Sequence, residues 1–346
     1  MWIRARRTKW SVPGGTRVAV TSLGVAPRLA ILGAIALLGY SRFPMHPTKV
    51  ESPAMPSPNR NGPAPTSSLH PPTATAVDLR NAFTFVPVEC PAAANTHPTG
   101  VNDRQQVVGT CAVDGTPKSF LWEPRAGFAF FEHPQGDMTV ATGINTLGEV
   151  VGFYYRATRD GSHSHGFLRR GDGSYLSFDP PGSRDTYAHS VNDSGVVVGA
   201  YVDELRTTQG FVRQPDGSFA IIRHPGAAST TPTAINNRGE VAGHFLAPGV
   251  GNRGFLLHSD GSFVTLQPDG VEPKGLNASG TVVGVAPFGG FLALRGESPG
   301  RLEHPACTGA CTIPTGVNND NAVVGQYQLS SGVYGFMASR RSVAGR

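Results

Sequence analysis

From residue 98 onward one pattern recurs six times, with substitutions. It runs T-x-(I/V)-N, a turn, V-V-G-x-(Y/F), a variable stretch, G-F-L, a second turn, and an alternating segment ending in a Pro-Gly-like loop. The turn-opening asparagines are Asn102, Asn145, Asn192, Asn236, Asn277 and Asn318, spaced 43, 47, 44, 41 and 41 residues apart. In the same register stand Gly109, Gly152, Gly199, Gly243, Gly284 and Gly325, then Phe120, Phe167, Phe211, Phe255, Phe291 and Phe336. A unit of this length cannot bury its apolar face alone, so the copies must stack on one another.

Each copy reads as four short antiparallel strands, in the second copy over 141–145, 150–155, 165–169 and 174–179. Gly148, Gly195, Gly239 and Gly280, with Asn321, hold the fourth position of the first turn, where φ > 0 is required. Gln105 departs from that rule and predicts a looser turn in copy one. Asp-Gly-Ser at 172–174, 216–218 and 260–262 marks the second hairpin. Four strands in a repeat of this length are the mark of a propeller blade. The last copy stops after its third strand (315–318, 323–328, 334–338). The missing fourth strand stands before the first copy, at 83–89 (FTFVPVE). The expected fold is all-β: a six-bladed β-propeller of four-stranded antiparallel blades over 79–340. The N-terminal strand completes the last blade and removes both open edges.

The chain has 44 Gly and 29 Pro with 15% charged residues, a composition of turns and short strands. Its net charge of +5 resides in the leader. Residues 1–60 hold nine Lys and Arg and one acid, leaving 20 of the 29 basic residues against 23 of the 24 acidic ones. A duplex-binding fold carries its basic stripe on the folded part, so a nucleic-acid partner is not expected.

Residues 1–41 read as a signal peptide or a signal anchor. An acid-free basic stretch precedes the apolar run 29–38 (LAILGAIALL), and Gly39 and Ser41 place small residues at the −3 and −1 positions of a cut after Ser41. As a helix that run rises about 15–18 Å, short of a hydrocarbon core of about 30 Å. Cleavage is the first reading, and an uncut anchor stays open because the basic region is long. Arg6-Arg7 matches twin-arginine export only in part. Residues 42–78, rich in Pro, Ser, Ala and Thr, read as a disordered Pro-rich stalk, and 341–346 as a disordered tail. Expected localisation is exported: periplasmic, secreted or cell-surface, with membrane contact only through an uncleaved N-terminus.

The elements His165-Gly166-Phe167-Leu168 and Ser119-Phe120-Leu121-Trp122, each followed by a strand, a Pro-rich loop and an N-D-x-G-x-V-V-G stretch, resemble the HAF-repeat family of extracellular proteins. The resemblance covers about 98–339 plus the closing strand. The Ala of the family's His-Ala-Phe element is mostly Gly here, and its His survives only at His165. The resemblance implies export and a β-repeat architecture, and it brings no catalytic residues.

Within a propeller of this kind the 2–3 loops and the connectors share one face, where length varies: 156–164, 202–209 and 246–253. Variable loops on a rigid scaffold are the expected binding surface. Arg156, His163, Asp203, Glu204 and His244 lie in or beside them. Three residues before each turn asparagine the series reads Thr99, Thr142, His189, Thr233, Lys274, Thr315. If strand one lines the channel, His189 and Lys274 are its polar departures, either filling local space or contacting an anionic or sugar ligand. Nearby acids are Asp185 and Glu272. Cys111, Tyr154, Tyr201, Phe245, Ala286 and Tyr327 read as inter-blade core. His133, His224 and His304 precede Pro and read as structural.

The four cysteines fall on the loop-bearing face, and three pairings are open. Cys90–Cys111 with Cys307–Cys311 is favoured, the first pinning the closing strand. No calcium-loop or H-E-x-x-H motif occurs. No metal, cofactor or catalytic residue is assigned. The expected function is a non-catalytic binding or surface-interaction module, monomeric, with a glycan or protein partner at the cell surface. The alternative is an extracytoplasmic hydrolase or lyase acting on carbohydrate or lactone in the channel.

Overall fold

The Val-Val-Gly runs form the second strand of each repeat, and their chemistry explains the repeat. The β-branched pairs are fully buried, as at Val107, Val108, Val150, Val151, Val197 and Val198. The glycine is small because the third-strand phenylalanine lies across it. A Cβ on Gly109 would strike the His97 carbonyl and come within 2.8 Å of the Phe120 ring. All six of these phenylalanines are 0–1% exposed.

The structure, a computed structural model, describes residues 77–91, 93–159 and 161–341. The leader, the stalk up to residue 76 and the tail from 342 lie outside these residues. After a 3-10 turn at Arg80–Ala82 comes β1 (Phe83–Pro87). Repeat one holds β2 (Ala93–Val101), β3 (Val107–Val113), β4 (Thr116–Glu123) and β5 (Gly127–Phe131). Repeat two holds β6 (Met138–Ile144), β7 (Val150–Thr158), β8 (Gly161–Arg169) and β9 (Tyr175–Phe178). Repeat three holds β10 (Ser183–Val191), β11 (Val197–Asp203), β12 (Thr208–Arg213) and β13 (Phe219–Ile222). Repeat four holds β14 (Ser229–Ile235), β15 (Val241–Ala247), β16 (Gly251–Leu257) and β17 (Phe263–Thr265). Repeat five holds β18 (Glu272–Leu276), β19 (Val282–Ala286), β20 (Gly289–Ala293) and β21 (Gly300–Arg301). Repeat six holds β22 (Thr312–Val317), β23 (Val323–Leu329) and β24 (Gly332–Arg340).

The architecture is an all-β propeller. Each first strand contacts those of the repeats before and after it, β2 with β6, β6 with β10, and so on to β22 with β2, which closes a ring. Repeats two to five are separate four-stranded sheets. The remaining eight strands form one continuous sheet rather than two separate blades. Its halves, β22–β24 with β1 and β2–β5, meet through the single parallel bridge of Asn95 with Val333. β1 pairs antiparallel with β24, from Phe83 opposite Arg340 to Pro87 opposite Phe336.

The turn asparagines wire the ring together. In its own turn, Asn145 Oδ1 accepts the Glu149 backbone N–H (2.9 Å), while Nδ2 donates to the Asn192 carbonyl of the next repeat (3.1 Å). The same inter-repeat bond runs from Asn102 to Asn145, Asn192 to Asn236, Asn236 to Asn277, Asn277 to Asn318, and Asn318 back to Asn102. A circuit of six bonds results.

The structure corrects four local expectations. The turn at Gln105 is as tight as its counterparts: Gln105 N–H donates to Asn102 O at 3.0 Å, with φ +60 accepted by a non-glycine residue. The stretch 156–164 is an extension of the hairpin, its ladder continuing to Thr158 opposite Gly161. Val77 and Asp78, assigned to the stalk, flank β21: Arg301 N–H donates to Val77 O (2.7 Å) and Leu79 N–H to Arg301 O (2.8 Å). Arg341, assigned to the tail, donates its N–H to Ala82 O (2.9 Å).

Both disulfides form, Cys90–Cys111 and Cys307–Cys311, with Cα separations of 6.4 and 5.8 Å. Bonds of this kind persist outside the reducing cytoplasm. Among the described residues no helix is long and apolar enough to cross a membrane.

Candidate functional site: the central channel

Both faces of each sheet are covered by neighbouring repeats, so residual exposure on the innermost strand marks the channel wall. Along β10, Asp185, Tyr187 and His189 are partly exposed while Thr186 and Ala188 between them are buried. The same alternation exposes Thr231 and Thr233, Glu272 and Lys274, Ile313 and Thr315. The period of two is that of a strand.

A bulge interrupts every first strand at the residue three before the turn asparagine. In four repeats that residue is threonine, and its hydroxyl donates to a carbonyl of the next repeat. Thr99 reaches Ala141 O (2.9 Å), Thr142 reaches Ala188 O (2.8 Å), Thr233 reaches Pro273 O (2.8 Å) and Thr315 reaches Pro98 O (2.8 Å). His189 makes the same bond, Nδ1 to Pro232 O at 2.7 Å. A carbonyl only accepts, so Nδ1 carries the proton, and the neutral ring presents an unprotonated Nε2. Lys274 departs from the pattern. No bond from it to Pro314 is present among the described residues, and its Nζ lies 3.4 Å from Glu272 Oε2.

His244, on β15 opposite Thr231, completes the group. Burial pushes the His189 imidazole down to about 4, the Pro232 bond opposing and the Lys274 charge assisting. His244 is also pushed down to about 4, first by burial, then by Lys274, with Glu272 opposing. Its Nδ1 is buried without a partner. At neutral pH both imidazoles are therefore neutral, beside the Lys274–Glu272 ion pair.

Repeats two and three contribute a different wall. Phe153 meets Tyr187 edge-on at 5.0 Å and Tyr155 at 5.6 Å. Burial, then Tyr187 and Asp185, raise the Tyr155 phenol to about 12. Asp185 Oδ1 accepts the Ser164 N–H (3.0 Å) and lies 3.7 Å from His163 Nδ1, while its Oδ2 lies 3.7 Å from Arg184 Nε. On a third side His97 Nδ1 meets Gln326 Oε1 at 2.7 Å.

At the turn end the first strands crowd together. A Cβ on Gly100 would lie 3.1 Å from Gly143 Cα, one on Gly275 3.0 Å from Gly316 Cα, and one on Gly316 3.2 Å from Gly100 Cα. The channel is constricted there.

Of the residues singled out in sequence, His189, Lys274 and His244 converge. His163 joins the Asp185 group. Arg156, Asp203 and Glu204 stay at the hairpin ends, and Asp203 is consumed by its own turn, accepting Thr207 N–H (2.8 Å) and Gln209 Nε2 (2.9 Å). Tyr187, Tyr155, His97 and Gln326 were missed, and Glu272 appeared only as a nearby acid. The signal lay two residues before each bulge, where His97, Val140, Tyr187, Thr231, Glu272 and Ile313 vary as freely as the bulge series. A separate small depression of about 90 Å³ lies among Gln209, Arg223 and Ser229, where Arg223 Nη2 donates to Gln209 Oε1 (2.6 Å). Among the described residues no three His, Cys, Asp or Glu side chains are grouped to hold a metal ion.

The fold and channel define a protein of the β-propeller class. No protein-family model matches the chain, and no curated protein matches its sequence. Among solved structures it is similar to a gluconolactonase from Xanthomonas campestris, at 11% identity over 75% of this chain and 90% of that one, with a TM-score of 0.48. It is also similar to the PQQ-bound aldose sugar dehydrogenase of Streptomyces coelicolor (10% identity, 75% and 98% covered, TM-score 0.44). TolB from Acinetobacter baumannii is a third (12% identity, 71% and 54% covered, TM-score 0.43).

Proposed function

We propose that this protein is an exported, non-catalytic binding module of the HAF-repeat type. It takes a ligand presented by a glycan or protein at the cell surface into the channel from the hairpin face. The ring is read as six units, the eight-stranded sheet counting as two, which the circuit of six asparagine bonds supports. The binding reading is carried by one observation: His189, His244, Glu272 and Lys274 gather on three consecutive repeats where the inter-repeat bonding pattern lapses at Lys274. A structural bridge replaced by an ammonium open to the channel costs the ring one bond, which fits a site kept for recognition. The leader, the disulfides and the repeat resemblance support export.

The alternative, a hydrolase or lyase, is favoured by the unprotonated Nε2 of His189 beside a Lys–Glu pair, which has the chemistry of a general base. A glycan array followed by calorimetry on the hits separates the readings. Wild type is expected to bind without turnover. Lys274→Met and His244→Gln are expected to weaken binding at least ten-fold, and Arg156→Ala to leave it unchanged. Turnover lost in His189→Thr would replace binding with catalysis. Hits indifferent to both channel variants would remove the channel as the site.

A further inference from the structure

We propose that the channel ligand is a neutral saccharide, its ring lying against the Tyr155–Tyr187 wall and its hydroxyls held by Glu272, Lys274 and His189. The inference rests on the channel being the ligand site and adds the chemical class.

The channel has two unlike walls. Repeats two and three offer the partly exposed Tyr155 and Tyr187, both packed edge to face on the buried Phe153. Repeats three to five offer a free imidazole lone pair, a carboxylate and an ammonium. A sugar ring has the same division, with apolar C–H faces and a rim of hydroxyls that both donate and accept. Tyrosine suits the first, giving a large rigid apolar surface with a polar tip. A carboxylate, an ammonium and an unprotonated imidazole together supply acceptors and donors for the second. An apolar ligand would leave Glu272 and Lys274 desolvated without recompense.

Charge pairing selects against anions. The formal charges of the wall are matched within the protein, Lys274 with Glu272 and Asp185 with Arg184. Both imidazoles are neutral at pH 7, so a carboxylate or phosphate finds no unpaired cation. The constriction at the Gly100, Gly143, Gly275 and Gly316 level stops a chain from threading through. A terminal sugar unit entering from the hairpin face fits this shape.

The test is calorimetry on the full chain with neutral mono- and disaccharides against the corresponding uronic acids and hexose phosphates. Wild type, Tyr187→Ala, Tyr187→Phe, Glu272→Gln and Lys274→Met are compared after melting curves confirm folding. The expected result is saturable binding of a neutral sugar, at least ten-fold weaker for its uronic acid. Tyr187→Ala should lose it, Tyr187→Phe should keep it, and Glu272→Gln should weaken it about ten-fold. Acidic sugars or phosphates bound as well or better, and lost in Lys274→Met, would overturn the neutral-sugar inference while leaving the channel as the site. Neutral sugars bound equally by every variant would overturn both. No binding by any of the sugars would overturn the saccharide class, leaving the channel reading to the array and its variants.

Discussion

At the bulge of strand one, four threonines and one histidine make the same inter-repeat bond, and the sixth residue, Lys274, makes none. His189 therefore has a structural duty and a chemical one on opposite ring nitrogens. Its burial has a consequence for acid stability. The unfolded imidazole takes a proton near 6.5, whereas the folded one holds out to about 4. Between those values the unfolded state binds more protons, so stability falls as pH drops from about 6.5 towards 4. His244 beside it contributes in the same direction, its burial and the repulsion of Lys274 outweighing the opposing pull of Glu272. His189→Thr restores the majority residue and keeps a donor for Pro232. It is expected to flatten the denaturation-midpoint profile over that range by up to one proton's worth of slope, about 1.4 kcal/mol per pH unit. An unchanged profile would show that His189 is not held neutral. Sequence marked His189 and Lys274 as departures from a pattern, but not that one still bridges repeats while the other does not. That distinction depends on which atoms face the next repeat's carbonyl, and a one-dimensional pattern does not carry it.

Connectors and second strands meet in one recurring element. His133 stacks flat on Tyr154 at 3.8 Å, His224 on Phe245 at 3.7 Å and His304 on Tyr327 at 3.8 Å. Each histidine also donates its backbone N–H to the hydroxyl of a downstream threonine, Thr139, Thr230 or Thr312. Cys90 makes that same bond to Thr96, and Cys111 holds the aromatic position, so the disulfide stands where other repeats have a stack. The seam where the termini meet is thereby joined covalently. Cys90→Ser with Cys111→Ser is expected to lose about 3 kcal/mol in chemical denaturation. Cys90→His with Cys111→Tyr should regain part of that loss. Equal stability of the two double variants would refute the equivalence. Both series, His-Pro and aromatic, were visible as repeats in sequence. Their contact was not, because it requires the connector to fold back onto the following repeat. The 2–3 segments were misjudged for a related reason: length variation at 156–164 is absorbed by lengthening the hairpin ladder, and polar residues such as Arg156 and His163 disguise a strand as a loop.

For the whole molecule, the repeat made the all-β ring legible, and the incomplete last copy made its closure legible, since an unpaired third strand at β24 needs a partner. The continuity of the eight-stranded sheet through Asn95 and Val333 was not legible, because one bridge leaves no periodic trace. Closure engages both sides of the seam: 77–79 pair with β21 while β1 pairs with β24, and Phe83 and Val88 are 1% and 0% exposed. The channel exists only if that closure holds. Deleting 77–89 from the full chain removes the ladder and two buried side chains worth roughly 1.5–3 kcal/mol each. Melting the deletion beside the intact protein is the most direct measurement. A midpoint lower by about 10 °C or more is predicted, and an unchanged midpoint would contradict the closed ring.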